Sequence, residues 1–173
     1  HRTPYTWDKE RVSSYIRYVD TDNQSHWLFD SFLFLEIMDT GTGGANKMFA
    51  KGYNLESANQ ADWTKLIDYY FQSETGIGAL DASVKEASAI LGTPRQKRQI
   101  VISIPEPIVY QHPEQASSST KYWGKIDNQT LDFSNSADRI KACKWYIDQV
   151  RAKFNEKNYQ HIELAGFYWL SEK

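Results

Sequence analysis

The chain has 173 residues, of which 40% are hydrophobic and 24% charged, and its formal net charge is −2. This size and composition predict one globular domain over residues 1–173 rather than two domains or a disordered chain. The slightly negative charge argues against a nucleic-acid partner, which needs a basic surface. No apolar run reaches the roughly 20 residues that cross a bilayer, so we expect no membrane span.

Short apolar runs and helical patterns alternate along the chain. The runs that predict buried strands are residues 15–19, 32–37, 100–104 and 162–168. Apolar side chains at helical spacing predict helices over residues 61–72, 80–91 and 137–157. We expect Asn59 and Ser136 to cap helix starts and Gly76 to end the first helix.

Strands that alternate with helices favour a parallel sheet with right-handed crossovers. We therefore expect an α/β fold, the parallel-stranded half of a (β/α)8 TIM-like barrel with about four strands and flanking helices. Only about a dozen residues join the first two strands, so a hairpin remains an alternative there. Because the chain stops just after the fourth strand, we expect either further chain or self-association through the exposed strand edge.

The predicted strand ends carry carboxylates and aromatic side chains. In such folds function gathers at the carboxyl ends of the strands. Two carboxylates at these ends suit glycoside hydrolysis, in which one protonates the leaving oxygen and the other attacks or activates water. We therefore take Glu172 as the candidate acid/base and Glu36 as a second catalytic candidate. Glu172 as a solvated chain end and Glu36 as a buried structural carboxylate remain alternatives.

Further residues are candidates for binding the sugar. The chain is rich in aromatics, with six Trp and eleven Tyr, which suit either a core or a sugar cleft. The substrate-binding candidates are Asp20, Asp39, Tyr110, Trp123, Tyr168 and Trp169. Asp20 and Asp39 are equally suited to capping turns. The four histidines show no metal-ligand spacing and the glycine-rich loop at 41–44 lacks a P-loop lysine, so neither a metal nor a cofactor is expected.

Several segments together carry a family resemblance. The sequence resembles a family of bacterial domains of unknown function, DUF4855, at residues 15–20, 27–35, 102–105, 138–139, 145–148 and 164–172. The resemblance implies a protein of Bacteroides-like bacteria that is exported, to the periplasm or cell surface, and associated with carbohydrate utilisation. It also implies a relation to glycosidase barrels and further strands after residue 172, so this piece by itself is expected to be inactive.

Three functions remain open from the sequence. The first is a glycoside hydrolase with carbohydrate as its substrate, and the second is a non-catalytic carbohydrate-binding domain. The third is a structural domain of an exported protein, which burial of Trp123, Trp169 and Tyr110 would favour.

Overall fold

The structure is a computed structural model that describes residues 6–40 and 44–170. Four helices and ten strands follow one another in these residues, in the order α1 (Lys9–Ile16), β1 (Arg17–Val19), β2 (Ser25–Trp27), β3 (Ser31–Phe34), β4 (Met38–Asp39), β5 (Lys47–Met48), β6 (Glu56–Ser57), α2 (Gln60–Tyr70), α3 (Gly76–Leu91), β7 (Arg98–Ile104), β8 (Lys125–Ile126), β9 (Gln129–Thr130), α4 (Ser136–Lys157) and β10 (Ile162–Trp169). None of the helices in these ranges is both long and apolar enough to cross a membrane.

The main sheet has three parallel strands in the order β10-β7-β3. The central strand β7 is apolar on the face that the helices cover, where Ile100 and Ile102 are fully buried. Phe32 and Phe34 of β3 lie opposite these two residues and extend the same core surface. Three of the four predicted strands are therefore present, but only the central strand β7 is largely buried, whereas β3 and β10 each have exposed apolar residues.

Helix α2 begins as its sequence predicts. The Asn59 side chain accepts a hydrogen bond from the Asp62 amide at 3.1 Å, and the Asp62 carboxylate accepts one from the Asn59 amide at 3.0 Å. This reciprocal pair satisfies two amides that have no partner within the helix. The prediction that Gly76 ends α2 is wrong, because α2 ends at Tyr70 and Gly76 is the first residue of α3.

The longest helix, α4, matches its predicted range but has a different cap. Asn135, not Ser136, caps it, and the Asn135 side chain accepts from the Ala137 amide at 3.0 Å. At the other end Asn158 adopts the left-handed conformation with φ 49°, which asparagine tolerates and which reverses the chain toward β10.

The predicted first strand, residues 15–19, does not join the main sheet. Its first two residues complete α1, and the remaining three pair antiparallel with β2. The Asp20 carboxylate accepts hydrogen bonds from the amides of Asp22 and Gln24, at 3.0 and 2.8 Å, which closes a tight turn. This local turn chemistry produces a hairpin between β1 and β2, a strand that was not predicted, whereas the second predicted strand contributes β3 to the main sheet.

Short strands build separate small sheets. Strand β4 pairs antiparallel with β5, and β5 pairs parallel with β6. Strands β8 and β9 form a hairpin of two residues on each side.

The prediction of a half TIM-like barrel is wrong. Only three strands of the described residues are neighbours in an all-parallel sheet, and the other strands belong to antiparallel or mixed sheets of two or three strands. A barrel requires each strand to continue a common tilted sheet. Here the first apolar run turns back on itself, and the segment between β3 and α2 pairs within itself, so the architecture is a mixed α/β fold with several small sheets.

Candidate functional site

An apolar cavity of about 440 Å³ lies beside the edge strand β3, where α1 and α3 approach it. We call it the Glu36 cavity. Its lining residues are Trp7, Val12, Tyr15, Phe32, Leu33, Phe34, Leu35, Glu36, Tyr69, Tyr70, Gly76 and Leu80. The volume falls within the range of small-molecule sites, which are mostly apolar with a few well-placed polar groups.

Glu36 is the one charged side chain among these lining residues. It stands two residues beyond β3, at the carboxyl end of that strand, and is only 2% exposed. Tyr70 lies nearby and is 4% exposed. Burial, followed by the proximity of Tyr146 and Glu36, raises the pKa of Tyr70 well above its ordinary value. Tyr70 therefore stays a neutral hydroxyl near the carboxylate.

Aromatic rings form the outer part of the Glu36 cavity. Trp7 and Tyr15 are 38% and 43% exposed, and their ring centroids lie 5.7 Å apart. The Arg11 guanidinium lies 5.8 Å from the centroid of the Trp7 ring. Because Trp7, Arg11 and Tyr15 are spaced by four residues, they share one side of α1 and the turn before it. The four-residue spacing of these side chains can be recognised in the sequence. It indicates one face of a helix, whereas the predicted site residues were sought at strand ends.

Asp20 does not line the Glu36 cavity. One of its carboxylate oxygens closes the β1–β2 turn, and the other lies 2.6 Å from His26 Nε2. The amide of Gln24 and then the His26 ring lower the pKa of the Asp20 carboxyl. Asp20 therefore caps the β1–β2 turn, and its candidacy for binding sugar stays a prediction.

A second, polar cavity of about 300 Å³ lies between the β4–β5–β6 sheet and the turn that starts at His112. We call it the Lys47 cavity. Its lining residues are Ala45, Asn46, Lys47, Asn54, Leu55, Glu56, His112, Pro113, Glu114 and Gln115.

An ion pair crosses the β5–β6 ladder at the Lys47 cavity. Lys47 and Glu56 are register partners, and Lys47 Nζ lies 2.7 Å from a Glu56 carboxylate oxygen. Gln111 donates a hydrogen bond to the other oxygen at 2.9 Å. The Gln111 amide and then Lys47 hold the pKa of Glu56 below its usual value, so this carboxylate is ionised at neutral pH.

Asp39 and Tyr110 support the Lys47 cavity without lining it. Asp39 is 3% exposed, and its carboxylate accepts from the Ala45 amide at 2.9 Å. The Tyr110 carbonyl accepts from the Ser57 hydroxyl at 2.8 Å. Both residues therefore fix the backbone of the cavity walls.

The remaining candidates are dispersed. Trp123 is 1% exposed and belongs to the core, whereas Trp169 is 46% exposed on the edge strand β10 and Tyr168 is half-buried next to it. Neither cavity includes any of the three. Glu172 lies outside the described residues. Of the predicted site residues that the structure describes, Glu36 is thus the one that lines a cavity.

The described side chains do not form a metal site. Within residues 6–40 and 44–170 no three His, Cys, Asp or Glu side chains are close enough together to hold a metal ion.

Comparison with known proteins places the chain in a family. A family model described as "Domain of unknown function (DUF4855)" matches residues 1–173, the whole chain. No curated protein and no solved structure matches it.

Proposed function

This chain belongs to the DUF4855 family, and we propose that it recognises glycans, with the Glu36 cavity as the binding site. The observation that carries the proposal is a buried carboxylate set in a cavity with an aromatic rim.

The chemistry of this cavity suits a sugar ring. A pyranose has apolar C–H faces, which pack on aromatic rings, and hydroxyl groups, which need hydrogen-bond partners. Trp7 and Tyr15 supply half-exposed rings, and Glu36 supplies a strong acceptor. A sugar hydroxyl can donate to a carboxyl oxygen, and an apolar surrounding strengthens such a hydrogen bond.

The cavity favours binding over hydrolysis. Hydrolysis requires two carboxyl groups about 5–5.5 Å apart in retaining enzymes and about 6.5–9.5 Å apart in inverting ones. Among the residues that line this cavity, Glu36 is the one carboxylate. We therefore propose a carbohydrate-binding role first and treat glycoside hydrolysis as an outcome that the experiment detects.

We also propose where the protein is located and that it associates with further copies of itself. Location in a bacterial periplasm or on a cell surface is supported by the family resemblance and not by the geometry. Self-association through a strand edge is supported by the main sheet, since β10 and β3 each have a β partner on one side only in the described residues. Trp169 of β10 and Leu33 of β3 are 46% and 49% exposed.

The direct test is calorimetric titration of the protein with a panel of neutral, acidic and amino-substituted oligosaccharides. We compare the wild type with Glu36→Gln, which keeps the shape of the side chain and replaces its carboxyl group with an amide. Loss of the hydrogen bond that the carboxyl group accepts predicts affinity lower by about five- to tenfold. Trp7→Ala should also weaken binding, because it removes a ring from the rim.

Controls separate these effects from misfolding and from catalysis. Glu156→Gln makes the same substitution at an exposed position of α4 and should bind as the wild type does. Release of reducing sugar by the wild type that collapses in Glu36→Gln would establish hydrolysis instead of simple binding. Failure of the whole panel to bind would overturn the proposal.

A further inference from the structure

We propose that the Lys47 cavity is a second sugar subsite, so that the glycan recognised by this chain is a neutral oligosaccharide rather than a single sugar unit. The proposal rests on the proposed function of the Glu36 cavity and adds the ligand class and its minimum length.

One short stretch of chain connects the residues of the two cavities. Glu36 lines the first cavity, and Asp39 is the register partner of Lys47, which lines the second. Three residues span about 10 Å at most, and paired strand residues lie about 5 Å apart, so the Cα atoms of Glu36 and Lys47 are within about 15 Å of each other. An oligosaccharide of a few units can cover that span.

The charges of the Lys47 cavity favour a neutral ligand. Glu56 already neutralises the Lys47 ammonium at 2.7 Å, and Glu114 adds a further negative charge, which disfavours an anion. An ammonium group has three N–H donors, and a contact with one carboxylate oxygen engages one of them. The group can therefore donate to a sugar hydroxyl while it keeps its ion pair.

Amide side chains add the donors and acceptors that hydroxyl groups require. Asn54 and Gln115 line the cavity and are exposed. Each side-chain amide offers both a carbonyl acceptor and N–H donors, which matches a hydroxyl that donates and accepts. A volume of about 300 Å³ is at the small end of ligand sites, which fits one sugar unit.

Both walls of the cavity are held in place before any ligand binds. On one side the buried Asp39 carboxylate anchors the Ala45 amide at 2.9 Å. On the other side the Ser118 hydroxyl accepts from the His112 amide at 3.1 Å and donates to the His112 carbonyl at 2.9 Å. Pre-organised walls reduce the entropy lost on binding.

The test is titration with neutral gluco-, manno- and xylo-oligosaccharides of increasing length. In the wild type we expect affinity to rise with length and then level off. The double variant Asn54→Ala/Gln115→Ala removes two exposed side-chain amides from the cavity wall. It should lose about five- to tenfold in affinity for the longest ligand and keep its affinity for the shortest.

A variant that fills the Lys47 cavity provides an independent test of the second subsite. Ala45→Phe fills the cavity from an exposed position while its backbone amide keeps the bond to Asp39. It should abolish the gain with length, and unchanged thermal unfolding would show that the fold is intact. Affinity that does not depend on length, or a gain that both variants retain, would overturn the second subsite.

The two proposals fail in different ways. Binding that is independent of length but lost in Glu36→Gln leaves the glycan-binding function standing and removes only the second subsite. Absence of binding to neutral oligosaccharides at every length overturns the second subsite, and the glycan-binding function falls only if the acidic and amino-substituted sugars also fail to bind.

Discussion

The indole rings of Trp63 and Trp123 pack edge to face with their centroids 5.2 Å apart, and both side chains are at most 1% exposed. Trp123 also contacts the rings of Phe133 and Trp145, at 5.5 Å in each case. This cluster joins α2, α4 and the segment before β8. The aromatic side chains of this cluster therefore belong to the core of the protein.

The packing of Trp123 predicts a stability effect. Trp123→Ala should lower the free energy of unfolding by about 3–5 kcal/mol, because it removes a large buried side chain and leaves a cavity. Trp169→Ala, at a 46% exposed position, should cost less than about 1 kcal/mol. Urea unfolding followed by circular dichroism measures both. Similar losses for the two variants would contradict the assignment of Trp123 to the core.

The Glu56 carboxylate predicts a pH dependence of stability. Its pKa in the folded protein is lowered from the usual 4.5, so its contribution is present above pH 4.5 and is lost as the pH falls through the lower, folded-state value. The ion pair is partly exposed, with 33% of the Glu56 side chain accessible, so this contribution is about 1 kcal/mol or less.

Glu56→Gln provides the comparison. The difference in unfolding free energy between wild type and variant should be largest at neutral pH and should shrink as the medium becomes more acidic than the usual glutamate pKa of 4.5. Glu156→Gln serves as the matched exposed control on α4. A difference that stays constant from neutral to strongly acidic solution would show that the Gln111 and Lys47 contacts do not stabilise the ionised form.

Cys143 should be unreactive in the folded protein. Burial raises the pKa of its thiol to about 12, and the nearby Arg139 opposes this only partly. At about pH 8 roughly one thiol in ten thousand is then ionised, and the thiolate is the reactive form. Iodoacetamide should modify Cys143 slowly in buffer and rapidly in guanidinium chloride. Equal rates under the two conditions would contradict the partly buried position of Cys143.

The strand edge predicts self-association that a charge can block. Ala165 is exposed on β10, at the register shift next to Gly166. Ala165→Lys should reduce any dimer or larger species seen by light scattering, since a lysine on an edge strand opposes further pairing. Ile140→Lys adds the same charge at a 55% exposed position of α4 and should leave the distribution unchanged. A wild type that is monomeric at all concentrations would contradict association through this edge.

Local sequence patterns predicted the helices and strands well where the apolar residues of the pattern are also the buried ones. The apolar stripe of residues 137–157 became α4, and the run at 100–104 became the core of β7. Asn59 caps α2 because its side chain reaches the amide of Asp62 within a single turn. Such interactions depend on residues a few positions apart, so the sequence contains them directly.

The candidate site was predicted only in part. Glu36 was identified as the carboxylate of the predicted strand 32–37, whereas the observed strand ends at Phe34 and Glu36 lines a cavity two residues beyond it. Trp7 and Tyr15 were missed because Trp7 lies just before α1 and Tyr15 within it, not at a strand end. Lys47 and Glu56 lie in strands of two residues each, which are too short to show any alternation.

Sequence patterns predicted α2, α3, α4 and the three parallel strands but not α1, and a single cysteine excludes an internal disulfide. Tertiary contacts were needed to show that residues 17–19 turn back as a hairpin with β2, that Trp123 is core, and that Lys47 pairs with Glu56. The physical reason is distance along the chain. Helix periodicity and caps are local, whereas strand pairing and cavity walls depend on which distant segments pack together, and several packings satisfy the same local pattern.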